Sequence, residues 1–413
     1  MNQVSRDRFL VLFGMGLVIL HGIMLWNARH LIRKGYPDFT IFYSAARVVS
    51  EGFGASLYDP EVQYRVQREF ASGVSIRQGA LPYNHPPFET ILFIPLSRLP
   101  YLVAYLVWDG LSLLLLAGVV GCLQSALQRE WPKLWWGLFA CLAFFPVCVA
   151  LLQGQDIILL VLWFAAAYLS LKRGNDLAAG WWLGLGLFRF QLILPFVLML
   201  ALRKRWRALL AFCGVACALG LISAAIVGWH SLWDYPRYVW FVERTMGHGA
   251  IVPADMPNLR GFLAAVLTDR IPKGGLDLLI ISLSLMLVVF GSFQWKRELS
   301  GERFDLAFSL SVVIVVLVSY HAFAYDMCLL LLPMALVVNY ARNAGAIPFR
   351  SQVLLLGPIF VLFFSPLHMV LWLHYGQLNV LAIPLAAWAW GIARELSPSA
   401  PVEVAPPKPS RAS

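Results

Sequence analysis

The stretch Phe9-Leu10-Val11-Leu12-Phe13-Gly14-Met15-Gly16-Leu17-Val18-Ile19-Leu20 runs on to Asn27 without an acid, a lysine or an arginine, and its reading decides the fold class. A helix that crosses a bilayer needs about 20 consecutive apolar residues, and this run supplies them. Arg6 and Arg8 precede it and no small-residue cleavage pattern follows. It therefore reads as an anchor with a cytoplasmic N-terminus and not as a removed signal peptide. The whole chain has the same character: of 413 residues, 60% are hydrophobic and only 13% charged, with 16 Trp. No soluble domain hides so much apolar surface, so the sequence predicts an all-α polytopic membrane protein.

Working outward, apolar segments recur at about 88–97, 101–124, 134–152, 156–171, 178–202, 206–228, 275–295, 305–320, 325–341, 351–373 and 377–393. With the first run they predict ten to twelve spanning or re-entrant helices. The chain holds 32 Lys plus Arg against 22 Asp plus Glu, but the basic residues sit in short clusters between apolar segments. That pattern orients helices and predicts no nucleic-acid partner. Arg203-Lys204-Arg205, Lys296-Arg297, Arg342 with Arg350, and Arg394 agree with a cytoplasmic N-terminus, whereas Lys172-Arg173 does not. Breaks in 134–152 around Pro146 and in 178–202 around Arg189 restore the agreement, since membrane proteins tolerate interrupted helices that line a cavity. The six Cys fall in or beside apolar segments without metal-type spacing and read as small buried hydrophobes.

Two polar blocks, at about 29–87 and 229–274, interrupt the apolar pattern and are expected on the extracytoplasmic side, as a roof over a site. The first contains Gly35-Tyr36-Pro37-Asp38-Phe39-Thr40-Ile41-Phe42-Tyr43. Pro37 opens a helix there, and Phe39, Phe42, Ala46, Val49 and Phe53 follow at helical spacing, as in an amphipathic helix lying in the membrane interface. Residues 1–395 read as one integral membrane domain. The Pro-rich residues 396–413 read as a disordered cytoplasmic tail.

Charges at the edge of apolar segments are costly and mark candidate functional groups. Asp38 suits a helix N-cap, the plainer reading from position alone, or a general base that takes the proton of an acceptor hydroxyl. Arg189, inside its apolar segment, needs either a phosphate or a structural pairing with a buried acid or backbone carbonyls for its guanidinium. His321 and Asp326 bracket an Ala322-Phe323-Ala324 break that lets both face one cavity, and the plainer reading is an interfacial His with a helix-start Asp. Gln153-Gly154-Gln155-Asp156 is a similar polar break, or an ordinary loop. No nucleotide loop, zinc motif or nucleophile elbow is present in the sequence, so the chemistry calls for a substrate that is already activated, with no cofactor and no metal.

An ordered set of short matches resembles the membrane glycosyltransferases of the C superfamily, and glycosyltransferase family 87 in particular, the polyprenyl-phosphate-mannose-dependent mannosyltransferases and their relatives. It comprises Asp38-Phe39 with Phe42-Tyr43 and Ala45-Ala46, then Gly52 with Leu57-Tyr58-Asp59-Pro60, and Tyr83 with His85-Pro86-Pro87. Next come Pro95-Leu96, Leu99-Pro100, Trp108, Gly154-Gln155, Arg189 with Pro195, and Arg205-Trp206-Arg207-Ala208. The last is His321 with Tyr325-Asp326 and Leu329 to Pro333. The chain departs from the family pattern at Arg189, where Lys is usual, at Asp156-Ile157, where a polar Asn is familiar, and at His321, which stands without a second His.

The resemblance implies an inverting transfer of a sugar, mannose being expected, from a polyprenyl phosphate to a lipid or glycan hydroxyl, at the extracytoplasmic face of the inner membrane. It implies Asp38 as the base, a role that capping does not preclude. Arg189 and His321 are then expected at the donor phosphate and Asp326 and Gln155 as shaping the cavity. Tyr43, Tyr83, His85 and Arg260 are expected as further substrate contacts. The alternative is a transporter or flippase of lipid-linked sugars, which shares a polar cavity but needs no base.

Overall fold

The computed structural model describes residues 3–71, 81–127, 134–245, 252–295, 300–343 and 348–397, and every regular element among them is helical. The chain opens with α1 (Gln3–Arg33), turns into α2 (Phe39–Ser50) and α3 (Pro60–Phe70), and continues through α4 (Thr90–Ser97) and α5 (Tyr101–Ala126). Next come α6 (Leu134–Leu142), α7 (Phe145–Gln153), α8 (Ile157–Lys172), α9 (Asp176–Leu185), α10 (Phe190–Leu202) and α11 (Trp206–Val227). The second polar block forms α12 (Trp229–Thr245) and α13 (Leu259–Leu267). The bundle closes with α14 (Lys273–Phe293), α15 (Gly301–Val318), α16 (Leu331–Asn343), α17 (Phe349–Phe363), α18 (Ser365–Met369) and α19 (Ala382–Leu396).

The protein is a polytopic membrane protein. Five helices, α1, α5, α11, α14 and the stretch Ala324–Asn343, are long and apolar enough to cross a bilayer, and eight spans result if each of three bent pairs counts as one. Leu12, Leu114, Leu210 and Leu278 stand exposed on four of these helices, as suits a surface that meets lipid. The bent pairs are α6 with α7 at 77°, α9 with the segment Leu187–Leu202 at 63°, and α17 with the segment Ser365–His374 at 59°. The first two bends fall at the interruptions near Pro146 and Arg189. The third was not expected, because 351–373 reads as one apolar run. Its cause is Pro366, which lacks an N–H and whose ring would strike the carbonyl of the preceding turn, so α17 ends at Phe363.

Helix α15 forms the centre: every residue from Phe304 to Leu317 is buried, against α8, α10, α14, α16 and α19. A helix that is apolar all round has no other place in the bundle. Its one buried acid, Asp305, accepts from Lys172 Nζ at 2.8 Å and from the Tyr168 hydroxyl at 2.6 Å. The cation that disagreed with the charge pattern thus has a partner inside the protein.

A second, aromatic core surrounds α2. Gly35, at φ +82°, makes the turn that brings α2 back onto the bundle; a Cβ there would stand 2.6 Å from that of Ala71. Phe42 stacks on Phe93 at 4.8 Å, Phe93 meets Trp108 at 4.5 Å, and Tyr43 meets Phe70 and Tyr101 edge-on. Such aromatic pairs contribute about 0.5–1.5 kcal/mol each beyond their burial. This corrects the reading of α2 as an amphipathic helix in the interface. It is enclosed from Phe39 to Ala46, and Phe53 lies beyond its end and exposed.

The two polar blocks meet. Tyr58 packs on Tyr235 and Tyr238, the Tyr235 hydroxyl donates to the Asn84 carbonyl at 3.1 Å, and Ser231 donates to the Ala55 carbonyl at 3.1 Å. Leu396, assigned to the tail by sequence, is buried at the end of α19. The tail beyond residue 397 and the cluster Lys296-Arg297 lie outside the described residues. Of the cysteines, Cys213 and Cys217 are exposed on α11 and not buried as expected, because they lie on the outer face of a helix that packs on one side only.

Candidate active site

The site is assembled from breaks between helices, where backbone and side-chain polar groups are released from helical pairing. At the α7–α8 break, Gly154 adopts φ +60° and lies so near α2 that a Cβ would stand 2.7 Å from the Cβ of Phe39. Only glycine meets both conditions. The break is thereby laid against the start of α2, and two hydrogen bonds join them: the Asp38 N–H donates to Gln153 Oε1 at 3.0 Å, and Gln155 Nε2 donates to Asp38 Oδ2 at 2.7 Å. Asp38 makes no side-chain cap for α2. Its own φ and ψ, −60° and −19°, are already helical, which turns the carboxylate away from the first-turn amides. The cap expected from sequence is absent, and the carboxylate is oriented by Gln155 instead.

Gln155 is held in turn by Arg189, which stands at the α9–α10 bend. The Arg189 Nη2 group donates to Gln155 Oε1 and also, at 2.5 Å, to Asp156 Oδ1, which accepts from Arg189 Nε as well at 2.7 Å. Arg189 Nη1 lies 3.5 Å from Asp326 Oδ1, and the guanidinium sits 5.3 Å from the centre of the Tyr325 ring. Of the partners that the sequence allowed for Arg189, the buried acid is present. Asp326 also accepts from the Phe323 N–H at 2.8 Å through Oδ2, so it starts its helix and faces the cation at once.

The remaining candidates divide. His321 lies in the same 319–326 connection, partly buried, with its ring edge-on to Phe323 at 4.5 Å. That connection is pinned by α13: Asn258 donates to the Ser319 carbonyl at 2.8 Å, and Arg260 donates to the Tyr320 carbonyl at 2.7 Å while lying over the Tyr320 ring. Arg260 is therefore placed beside His321 and not in the acid cluster. The hydroxyls of Tyr43 and Tyr83 are spent on the carbonyls of Leu99, at 2.7 Å, and Pro86, at 2.9 Å. Tyr43 belongs to the aromatic core, and Tyr83 stacks beside His85 at 5.7 Å. His85 is held by Phe42 edge-on at 4.9 Å, and its carbonyl accepts from the Tyr58 hydroxyl at 2.9 Å. Burial, and after it the charge of Arg189, pushes the His85 imidazole down to about 3, so the ring is neutral.

Two acids of the site went unassigned in the sequence reading. Glu89 is wholly buried, with its Oε2 atom 2.8 Å from His85 Nδ1. Asp156 stands in a polar break and at a departure from the family pattern, neither of which gave it a role, and it too is wholly buried. The available signal for Glu89 was its position as the acid within the apolar segment 88–97. Three fully buried carboxylates, Glu89, Asp156 and Asp326, thus surround one guanidinium.

A family model described as Glycosyltransferase family 87 matches residues 83–320, a range that holds His85, Glu89, Gln155, Asp156 and Arg189 and leaves Asp38, His321 and Asp326 outside. No curated protein and no solved structure matches the chain.

Proposed function

Because the chain belongs to glycosyltransferase family 87 and is therefore a glycosyltransferase, we propose that it moves a sugar, mannose in the first instance, from a polyprenyl phosphate to a hydroxyl of a lipid or glycan acceptor, with Asp38 as general base. The observation that carries this reading is the orientation of Asp38: its carboxylate is not spent on a helix cap but is aimed by Gln155, which Arg189 clamps from behind. A base held by a chain of locked side chains is what proton abstraction from a hydroxyl requires.

In the reaction Asp38 takes the acceptor proton while the acceptor oxygen bonds to the anomeric carbon. The bond from that carbon to the phosphate oxygen breaks, and its electron pair leaves with the polyprenyl phosphate. Attack opposite the leaving group inverts the anomeric centre. We assign the donor phosphate to His321, on the partly buried rim. Arg189 is 3% exposed and reaches a phosphate only by releasing Asp156, so we assign it to positioning Gln155 and Asp156. The family match favours the enzyme over the transporter or flippase. We assign the site to the extracytoplasmic face of the inner membrane, the side to which the positive clusters turn the two polar blocks.

The reading is tested with membranes containing the protein, a radiolabelled polyprenyl-phosphate mannose and a panel of lipid and glycan acceptors. Label is expected to move to an acceptor with release of polyprenyl phosphate. Transfer from a nucleotide sugar, with none from any polyprenyl-phosphate sugar, would refute the donor class.

A further inference from the structure

The setting of Glu89 is the feature of the site that the transfer reaction leaves unexplained. The side chain is 0% exposed, and neither of its oxygens accepts from an N–H or O–H whose direction is fixed, although Asp156 and Tyr83 stand beside it. Asp156 Oδ2, the oxygen turned away from Arg189, is likewise buried and without a hydrogen bond. His85 Nδ1 lies 2.8 Å from Glu89 Oε2, but the two are not aligned as donor and acceptor, and Nδ1 has no other partner. One ligand atom from each of the three residues lies within 4.8 Å of the others. When ionised, a buried carboxylate that no donor or cation compensates costs several kcal/mol. The nearby guanidinium is already divided between Asp156 and Asp326.

We infer that His85, Glu89 and Asp156 form a binding site for a divalent transition-metal cation, held by one imidazole nitrogen and two carboxylate oxygens. This donor set suits Zn²⁺ or Mn²⁺ better than Mg²⁺, which keeps its water and takes oxygen ligands. Ligand atoms about 2.0–2.2 Å from a zinc ion stand about 3–4 Å apart, so the three groups need only a small contraction. Their outer supports are in place: Arg189 grips the far oxygen of Asp156, and Tyr58 holds the His85 carbonyl. Second contacts of this kind orient ligands and tune affinity. Three protein ligands leave a fourth position, which a water completes. The inference departs from the metal-free expectation of the sequence, where His85 and Glu89 stand far from Asp156 and show no ligand spacing.

The test reads binding and not sugar transfer, so its outcome is independent of the donor assay. The full chain is purified in detergent with a histidine-free tag, stripped with EDTA and titrated with Mn²⁺ by electron paramagnetic resonance. Zn²⁺ is followed by metal analysis and by melting temperature, with Mg²⁺ as control. Saturable binding of one Zn²⁺ or Mn²⁺ per chain is expected, with a rise in melting temperature that follows cation concentration. Glu89→Gln and His85→Ala should each lose about tenfold or more in affinity, and the melting response with it. Absence of saturable binding in the parent overturns the site even if a variant fails to fold. Unchanged affinity in a folded Glu89→Gln chain overturns it equally. A Glu89→Gln chain that melts at or above the parent and binds no cation, beside a parent that binds none, would show that Glu89 carries a proton there.

Discussion

Asp38 and Arg189 lie on one hydrogen-bonded line and should fail in different ways. Asp38→Asn keeps the size of the side chain but cannot take a proton. Transfer should fall by about 10² to 10⁴. The melting temperature should stay near that of the parent, because no cap is lost. Asp38→Ala should lose at least the Gln155 bond to its carboxylate, about 1.5–3 kcal/mol. Transfer rate and detergent melting curves on both variants check this, and full transfer by the Asn variant would remove Asp38 as the base. Arg189→Ala leaves Asp156 and Asp326 buried without their cation, which costs about 3–5 kcal/mol. Arg189→Lys keeps the charge but loses the fork that reaches Gln155 and Asp156 together. It should therefore melt between the parent and Arg189→Ala, and transfer slowly with donor KM little changed. A Lys variant raised only in donor KM would return Arg189 to the phosphate.

At the scale of elements, the contact of α12 with the first polar block makes a topological prediction. Ala55 and His230 are both exposed, and the Ala55 carbonyl is bonded by Ser231. With Cys213 and Cys217 replaced by Ser, cysteines at 55 and 230 should react with the same impermeant reagent from the same side of the membrane, the outside if the positive clusters orient the chain. Labelling from opposite sides would break the packing of α12 on Tyr58. The bends belong to this scale too. The interruptions near Pro146 and Arg189 were read from the proline and the arginine within their apolar runs, while Ser365-Pro366 offered the same kind of signal inside 351–373 but did not stand apart from Pro358, which lies within α17 without ending it. The burial of α2 was equally illegible: spacing shows that one face is apolar but not that aromatic residues from α4 and α5 enclose the others.

For the molecule as a whole, the polar break at Gln153–Asp156 and the Lys172–Asp305 pair sit at opposite ends of α8, a helix of 16 residues and so about 24 Å long. Lys172→Met should lower the melting temperature by leaving Asp305 uncompensated, yet leave transfer per folded molecule unchanged. Lys172→Met with Asp305→Leu should recover most of the loss, since an apolar pair replaces a buried ion pair at little cost. Melting and transfer measured on both separate stability from catalysis, and a transfer defect in the folded single variant would mean that α8 couples its two ends. The sequence by itself determined that the protein is helical and membrane-bound, because the length of an apolar run is a property of the chain read in one dimension. It also singled out Asp38, Gln155, Arg189 and Asp326, because polar groups at the edges of apolar runs are costly. Only the tertiary structure decided that Gln155 and not a helix cap orients Asp38, that Asp156 shares Arg189, and that Glu89 and His85 close the cluster. Those pairings join chain breaks far apart in sequence, and which breaks meet is set by how α2, α8, α10 and α15 pack.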